Sequence, residues 1–262
     1  MFLVDSHCHF DLLDKTAENG DIHTVIKRAQ HDGVCYFLNV CVSIAAFPNL
    51  LEVADQYPFM SVSVGLHPNA QDEEVDTETL IKLAQHPKVV AIGETGLDCF
   101  RSTGEITWQH ERFRRHIQAA KQLQKPLIIH TRNAKEDTLR IMREEGADQV
   151  GGVMHCFSED WSIAQQAMEL GFYISFSGIV TFKNAKVIQE VARQIPLNRM
   201  LIETDSPYLA PNPKRGKANE PAYVRYTAEY LASLRNIELE EFAEQTTQNF
   251  FSLFKGAVRP HV

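Results

Sequence analysis

Phe2-Leu-Val-Asp-Ser-His-Cys-His9 opens the chain with an apolar run that ends in two histidines one residue apart. Side chains at i and i+2 of a strand point to one side. His7 and His9 would therefore present two imidazoles to one cation, with Asp5 expected on the same face. One such pair decides little by itself. Its weight comes from the apolar runs that follow it, and their repetition decides the fold.

The expected strands are Phe2–His9, Val34–Val42, Phe59–Pro68, Val89–Gly96, Pro126–Arg132, Gly151–Phe157, Phe172–Ile179 and Met200–Pro207. Their starts lie roughly thirty residues apart, room for a strand and a helix at each step. The runs are nearly continuous in Val, Ile, Leu and Phe, as parallel strands buried on both faces require. The intervening segments read as helices. Glu105–Gln124 is the longest, with Ile106, Phe113, Ile117 and Ala120 on one stripe, and Thr138–Glu145, Trp161–Leu170 and Lys186–Gln194 repeat the pattern more briefly. Gly146 and Gly171 stand where helices should end. The repeat predicts a (β/α)8 TIM barrel, an α/β fold, rather than an open doubly wound sheet. No GxGxxG or P-loop follows the first strand, which argues against a nucleotide-binding Rossmann layout. Two extra C-terminal helices, Tyr223–Leu234 and Leu239–Phe254, are expected, and no linker or repeat divides residues 1–262, which read as one domain.

Composition narrows the function classes. The 262 residues are 44% hydrophobic, enough for a large core. The N-terminus lacks a basic segment followed by an apolar one, and no run of about 18 apolar residues occurs, so a cytoplasmic protein with no membrane span is expected. Five cysteines without a CxxC pair suit a reducing compartment. Cys8 and Cys156 neighbour candidate ligands but are expected to be small buried residues turned away from them. A net charge of −8 excludes a basic field that captures nucleic acid at long range. It leaves room for a phosphate-bearing substrate, because bound cations reverse the local sign.

The C-terminal ends of the expected strands carry the chemistry. They supply His7 and His9, then His67, Glu94, His130, His155 and Asp205, and in a barrel these ends share one rim. Ionisable groups closing apolar runs are costly to bury without a partner, and a metal centre is such a partner. Four histidines and two carboxylates suit zinc, with manganese, cobalt, nickel or magnesium as alternatives. Six ligands exceed what one tetrahedral zinc needs, so two divalent ions sharing a carboxylate are expected. Such a pair ionises a bridging water and clamps a phosphoryl centre. The other carboxylate can pass the water proton to the leaving group. His67 is expected to face substrate or support a ligand, and Glu203, two residues before Asp205, to orient a ligand histidine from below.

The motifs Asp5-Ser-His-Cys-His9, Gly65-Leu-His-Pro68, Gly93-Glu-Thr-Gly-Leu-Asp98, Ile129-His-Thr-Arg132, His155-Cys-Phe157 and Ser175-Phe-Ser-Gly178 run through the chain. Glu203-Thr-Asp-Ser-Pro-Tyr-Leu-Ala-Pro211, Pro213-Lys-Arg-Gly216 and Asn249-Phe-Phe-Ser-Leu-Phe254 complete the set. Together they resemble the TatD family of metal-dependent hydrolases and deoxyribonucleases, within the amidohydrolase superfamily, and look closest to its YcfH-like bacterial branch. The resemblance implies a distorted barrel in which His7, His9, Glu94 and Asp205 bind one ion. Glu94 would bridge to a second held by His130 and His155, and Asp205 would act as ligand and proton acceptor. Many related binuclear enzymes use a carboxylated lysine on strand four. Here Glu94 supplies the carboxylate and the nearest lysine, Lys88, precedes the strand.

Around the rim, Arg132 and the loop Asn212-Pro-Lys-Arg-Gly-Lys217, with Arg215, offer phosphate contacts. Arg132 could instead pair with Glu136. Tyr208 and Phe157 could stack on a base, although Phe157 could simply pack. Glu111-Arg-Phe-Arg-Arg115 reads as a solvated outer helix face rather than a DNA track. The expected activity is deoxyribonuclease cleavage at a DNA strand end, preferably as an exonuclease, with no obligate protein partner. The alternatives are a binuclear hydrolase of small esters, amides or phosphomonoesters, and a metal- or nucleic-acid-binding module without turnover. Strand release beside a panel of small esters separates the three.

Overall fold

In the computed structural model, which describes residues 1–13, 21–102 and 104–260, the apolar runs form one eight-stranded parallel sheet. The strands are β1 (Leu3–Cys8), β2 (Val34–Asn39), β3 (Met60–Val64), β4 (Val89–Asp98), β5 (Leu127–Arg132), β6 (Gly152–Met154), β7 (Phe172–Phe176) and β8 (Met200–Ile202). Each pairs with the next in sequence order. Between them run α1 (Ile22–His31), α2 (Phe47–Asp55), α3 (Thr77–Leu83), α4 (Thr107–Leu123), α5 (Lys135–Glu144), α6 (Trp161–Glu169) and α7 (Lys186–Gln194). Two further helices, α8 (Val224–Arg235) and α9 (Leu239–Leu253), follow β8. This is the expected (β/α)8 barrel. No described helix is long and apolar enough to cross a membrane.

Local sequence explains the helix boundaries. Asp21, Asp76 and Asp160 accept hydrogen bonds from Thr24, Thr79 and Ile163 N–H at the starts of α1, α3 and α6. Gly146 and Gly171 follow α5 and α6 in the left-handed conformation that ends helices.

Alternation sorts the strand side chains into two layers. Leu3, Phe37, Leu127 and Ile129 pack outward against Ile26, Phe113 and Ile117 of the helices. Val4, Leu38, Val90, Ile128, Val153 and Leu201 fill the interior with Phe250 of α9 and Phe254 just after it. That helix closes the N-terminal end of the barrel. Thr247 Oγ1 donates to Phe2 O at 2.9 Å, and Asn249 Nδ2 donates to Leu197 O and Met200 O at 2.8 Å. The C-terminal strand ends form the opposite mouth.

The barrel is distorted where β8 meets β1. The seam is a single bridge, Cys8 to Ser206, in which Asp205 N–H donates to His7 O at 2.9 Å and His9 N–H to Ser206 O at 3.0 Å. The β1 register slips between Asp5 and Cys8. Asp5 therefore does not join His7 and His9 as expected. Its buried carboxylate instead accepts Thr204 N–H at 2.9 Å and Thr204 Oγ1–H at 2.6 Å, stapling the seam, and burial raises it to about 8 against those bonds.

Several strands are shorter than their apolar runs. β6 stops at Met154 and β8 at Ile202, so His155 and Asp205 lie on turns beyond them. Cys156 (φ 45°) and Asp205 (φ 56°) adopt left-handed backbone there, which ends strand alternation. Cys8 faces outward as expected, its thiol 3.4 Å from Leu38 O, whereas Cys156 sits in its turn 3.2 Å from Ser177 Oγ.

The charged segment of α4 is solvated only in part, with Glu111 exposed and Arg114 and Arg115 half-buried. Arg112 is buried and donates to His67 O at 2.9 Å, Glu73 O at 2.7 Å and Glu74 at 2.7 Å. Arg114 pairs with Glu144 and Glu145, and Arg115 with Glu74. One turn on, buried His116 accepts Leu66 N–H on Nε2 at 3.0 Å and donates from Nδ1 to Arg112 O at 2.8 Å. Both nitrogens are committed in the neutral form, and burial lowers the imidazole from 6.5 to about 4. The unfolded chain takes up this proton first. The stabilising contribution is thus intact above pH 6.5 and lost as pH falls toward 4, about 3 kcal/mol in all. Urea unfolding of wild type should show that acid loss, and His116→Gln should lack it.

Candidate metal centre

At the mouth, Glu94 stands among four imidazoles. It lies on β4 after Gly93, and His130 lies on the adjacent β5. Gly96 lets the two strands approach: its φ is +137°, and a Cβ there would come 2.0 Å from His130 O. The two Glu94 oxygens face different histidines. Oε2 lies 3.2 Å from His7 Nε2. Oε1 lies 2.9 Å from His155 Nε2, 3.0 Å from His130 Nδ1 and 3.4 Å from His67 Nε2. On the Oε2 side, His7 Nε2 is 3.2 Å from His9 Nε2, and Asp205 Oδ1 is 3.3 Å from His9 Nε2 and 3.8 Å from His7 Nε2.

These separations fit cation binding. Tetrahedral N and O donors at about 2.0–2.2 Å from zinc stand about 3.3–3.6 Å apart. The donor atoms of His7, His9 and Glu94 converge within 4.8 Å of one another, as do those of His67, Glu94 and His130, and those of His7, His155 and Glu203.

The outer ring of hydrogen bonds assigns the tautomers. His9 Nδ1 donates to Val40 O at 2.9 Å, His155 Nδ1 to Glu203 Oε1 at 3.3 Å, and His130 Nε2 to Asp98 Oδ2 at 3.2 Å. The opposite nitrogen of each faces the cluster and is the one that would give its lone pair to a bound cation, the arrangement in which imidazoles ligate metals. His130 thus offers Nδ1, not Nε2. His67 is opposite in kind. Its Nδ1 accepts Asn69 N–H at 3.0 Å, which leaves the proton on Nε2 to donate to Glu94. His7 stacks on His155 with ring centroids 3.9 Å apart, and its Nδ1 is buried without a hydrogen-bond partner among the described residues.

Burial pushes Glu94 upward, but His155, His67 and the bond from His130 outweigh it and hold the carboxylate well below its usual range. Burial pushes His155 down, yet Glu94 and Glu203 lift it well above normal. His9 likewise ends at about 9, burial being overcome by Asp205. Asp205 stays below its usual value, burial being overcome by His9 and His7. Protons on these imidazoles thus balance the carboxylates, and a bound cation would displace them.

Glu203 lies beneath this set. Its Oε1 also accepts Cys156 N–H at 2.7 Å, and its Oε2 has no hydrogen-bond partner among the described residues. Asp98 was not singled out in the sequence. Its Oδ2 also accepts Asn69 Nδ2–H at 2.7 Å, while Oδ1 accepts Phe100 and Arg101 N–H at 2.9 Å. Its spacing of four from Glu94 was the available signal. Asp98→Asn should loosen His130 and weaken metal affinity roughly tenfold to a hundredfold, as competition with a chromogenic chelator would measure.

The rim combines aromatic rings and guanidinium groups. Phe100 is 60% exposed and Tyr208 54% exposed. Arg132 does not pair with Glu136; its guanidinium lies over Phe100, 3.9 Å from the ring centroid. Arg215 lies over Phe182 at 4.4 Å. Phe157 offers no stacking face, because it is buried against Phe176.

A parallel barrel with a carboxylate-centred histidine cluster at its mouth defines a class of metal-dependent hydrolases. A family profile described as TatD related DNase matches residues 4–255. The uncharacterized metal-dependent hydrolase YcfH of Escherichia coli K12 is 47% identical over 254 residues, covering 97% of this chain and 96% of that one. The mouse putative deoxyribonuclease TATDN3 is 31% identical, covering 96% of this chain and 88% of its own. The crystal structure of YjjV, a TatD homologue from Escherichia coli K12, superposes with a TM-score of 0.87 at 27% identity, covering 97% of this chain and 98% of that one. The chain belongs to the TatD family and is a metal-dependent hydrolase.

Proposed function

We propose that the chain is a two-metal phosphodiesterase acting on the end of a single-stranded DNA, as an exonuclease. The reading rests on one observation above all: Glu94 divides its two oxygens between two sets of imidazoles. His7, His9, Glu94 and Asp205 would hold one divalent ion, and Glu94, His130 and His155 a second, with zinc preferred. When bound, such a pair supplies an ionised water at neutral pH and neutralises charge on the phosphoryl oxygens.

The protein's own groups do the rest. Asp205 Oδ1 takes the proton of the attacking water as the new P–O bond forms. It returns that proton to the leaving oxygen as the old bond breaks. Glu203 and Asp98 keep His155 and His130 in the ligating tautomer. His67 Nε2–H steadies Glu94 Oε1. Arg132, held over Phe100, faces a phosphate, Tyr208 gives a base a ring to stack on, and Arg215 lies farther out on the same rim. A mouth ringed by loops in a chain of net charge −8 favours a strand end over a long duplex. Five free cysteines fit a cytoplasmic location.

The test is nucleotide release from 5′- and 3′-labelled single-stranded DNA beside a panel of carboxylic esters, amides and phosphomonoesters. Stepwise release from one end supports the reading. Turnover confined to the small substrates contradicts it.

A further inference from the structure

A cavity of 820 Å3 lies between α1 and the loop from Pro207 to Glu220. Its wall includes Leu12, three residues after His9, and Pro207, two residues after Asp205. The cavity therefore adjoins the two segments that carry His9 and Asp205. Asn219 Nδ2 fixes the loop by donating to Thr204 O at 2.9 Å and Tyr208 O at 2.5 Å.

The charges around this cavity do not cancel. Arg28 pairs with Glu220 and His31 with Asp32. Lys27 and Lys214 have no carboxylate partner among the described residues. Lys214 Nζ lies 5.1 Å from the ring centroid of Tyr223 and 5.6 Å from that of Tyr226. Contact with aromatic faces spends none of its three N–H donors. The tyrosine rings, 5.8 Å apart, add a flat apolar wall. A locally positive chamber with aromatic walls suits a nucleotide, in a volume typical of small-ligand sites. It is far larger than inorganic phosphate requires.

We propose that this cavity is a second nucleotide subsite. It seats the nucleotide next to the one being hydrolysed, with a phosphate on Lys214 and the base against Tyr226. This assignment rests on the phosphodiesterase reading and extends it from a reactive end to a strand of at least two nucleotides.

Kinetics of Lys214→Ala and Tyr226→Leu on oligothymidylate and on bis(4-nitrophenyl) phosphate test it. Each variant should raise KM for the oligonucleotide roughly tenfold, with unchanged turnover of the small diester. Fluorescence anisotropy of labelled oligothymidylate on the metal-stripped protein should show the same loss. Thymidine 5′-monophosphate should compete at least about tenfold more weakly than the oligonucleotide. Unchanged KM and unchanged anisotropy in both variants would overturn the subsite, as would equal losses on both substrates. Equal competition by the mononucleotide would overturn the assignment to a strand. If wild type binds the strand through Lys214 and Tyr226 without cleaving it, the phosphodiesterase reading fails and the subsite stands.

Discussion

Glu94→Gln should lower hydrolytic turnover by about a thousandfold or more and leave fewer than two divalent ions per chain. Glu94 reaches both sets of imidazoles, with Oε2 at His7 and Oε1 at His130 and His155. A glutamine keeps the volume but removes the negative charge and replaces one oxygen by an N–H donor, which cannot ligate. A metal pair is worth several kcal/mol in stabilising charge at the transition state, and each 1.36 kcal/mol is a factor of ten. Metal analysis by mass spectrometry and turnover on the same preparation check both parts. A glutamine variant that kept two ions and full turnover would remove Glu94 from the bridge.

Asp205→Asn separates binding from proton transfer. Asparagine tolerates the left-handed backbone at φ 56°, so the turn should survive. His7, His9 and Glu94 remain, so part of the metal should remain. Turnover should fall by about 10²–10⁴, the usual contribution of a positioned general base. If turnover fell only in proportion to metal content, Asp205 would be a ligand without a proton-transfer role.

The barrel is legible because parallel strands covered on both faces must be apolar along their whole length. The first three helices left a fainter trace. Asp21 and Asp76, which cap α1 and α3, are the sequence signals for two of them. Strand limits were overestimated at β6 and β8 because apolar composition continues into turns whose backbone leaves the sheet. The six ionisable residues His7, His9, Glu94, His130, His155 and Asp205 stand out in sequence because each closes an apolar run. The structure brings all six together.

Other features depend on contacts that no local pattern encodes. Asp5 follows a register slip rather than the alternation of an ideal strand. Arg112 sits in a string of charges yet is buried on the carbonyls of His67 and Glu73, far away in sequence. The use of Nδ1 rather than Nε2 by His130 is set by Asp98 on the neighbouring strand. The cavity beside α1 exists only where the Pro207–Glu220 loop meets that helix.

The most direct measurement is strand release by protein stripped of metal and then titrated with zinc or manganese, using end-labelled single-stranded DNA. Release should be absent from the stripped protein and return as the second equivalent of ion binds. Undiminished release without metal, or a fully loaded protein that leaves the strand intact, would contradict a two-metal phosphodiesterase.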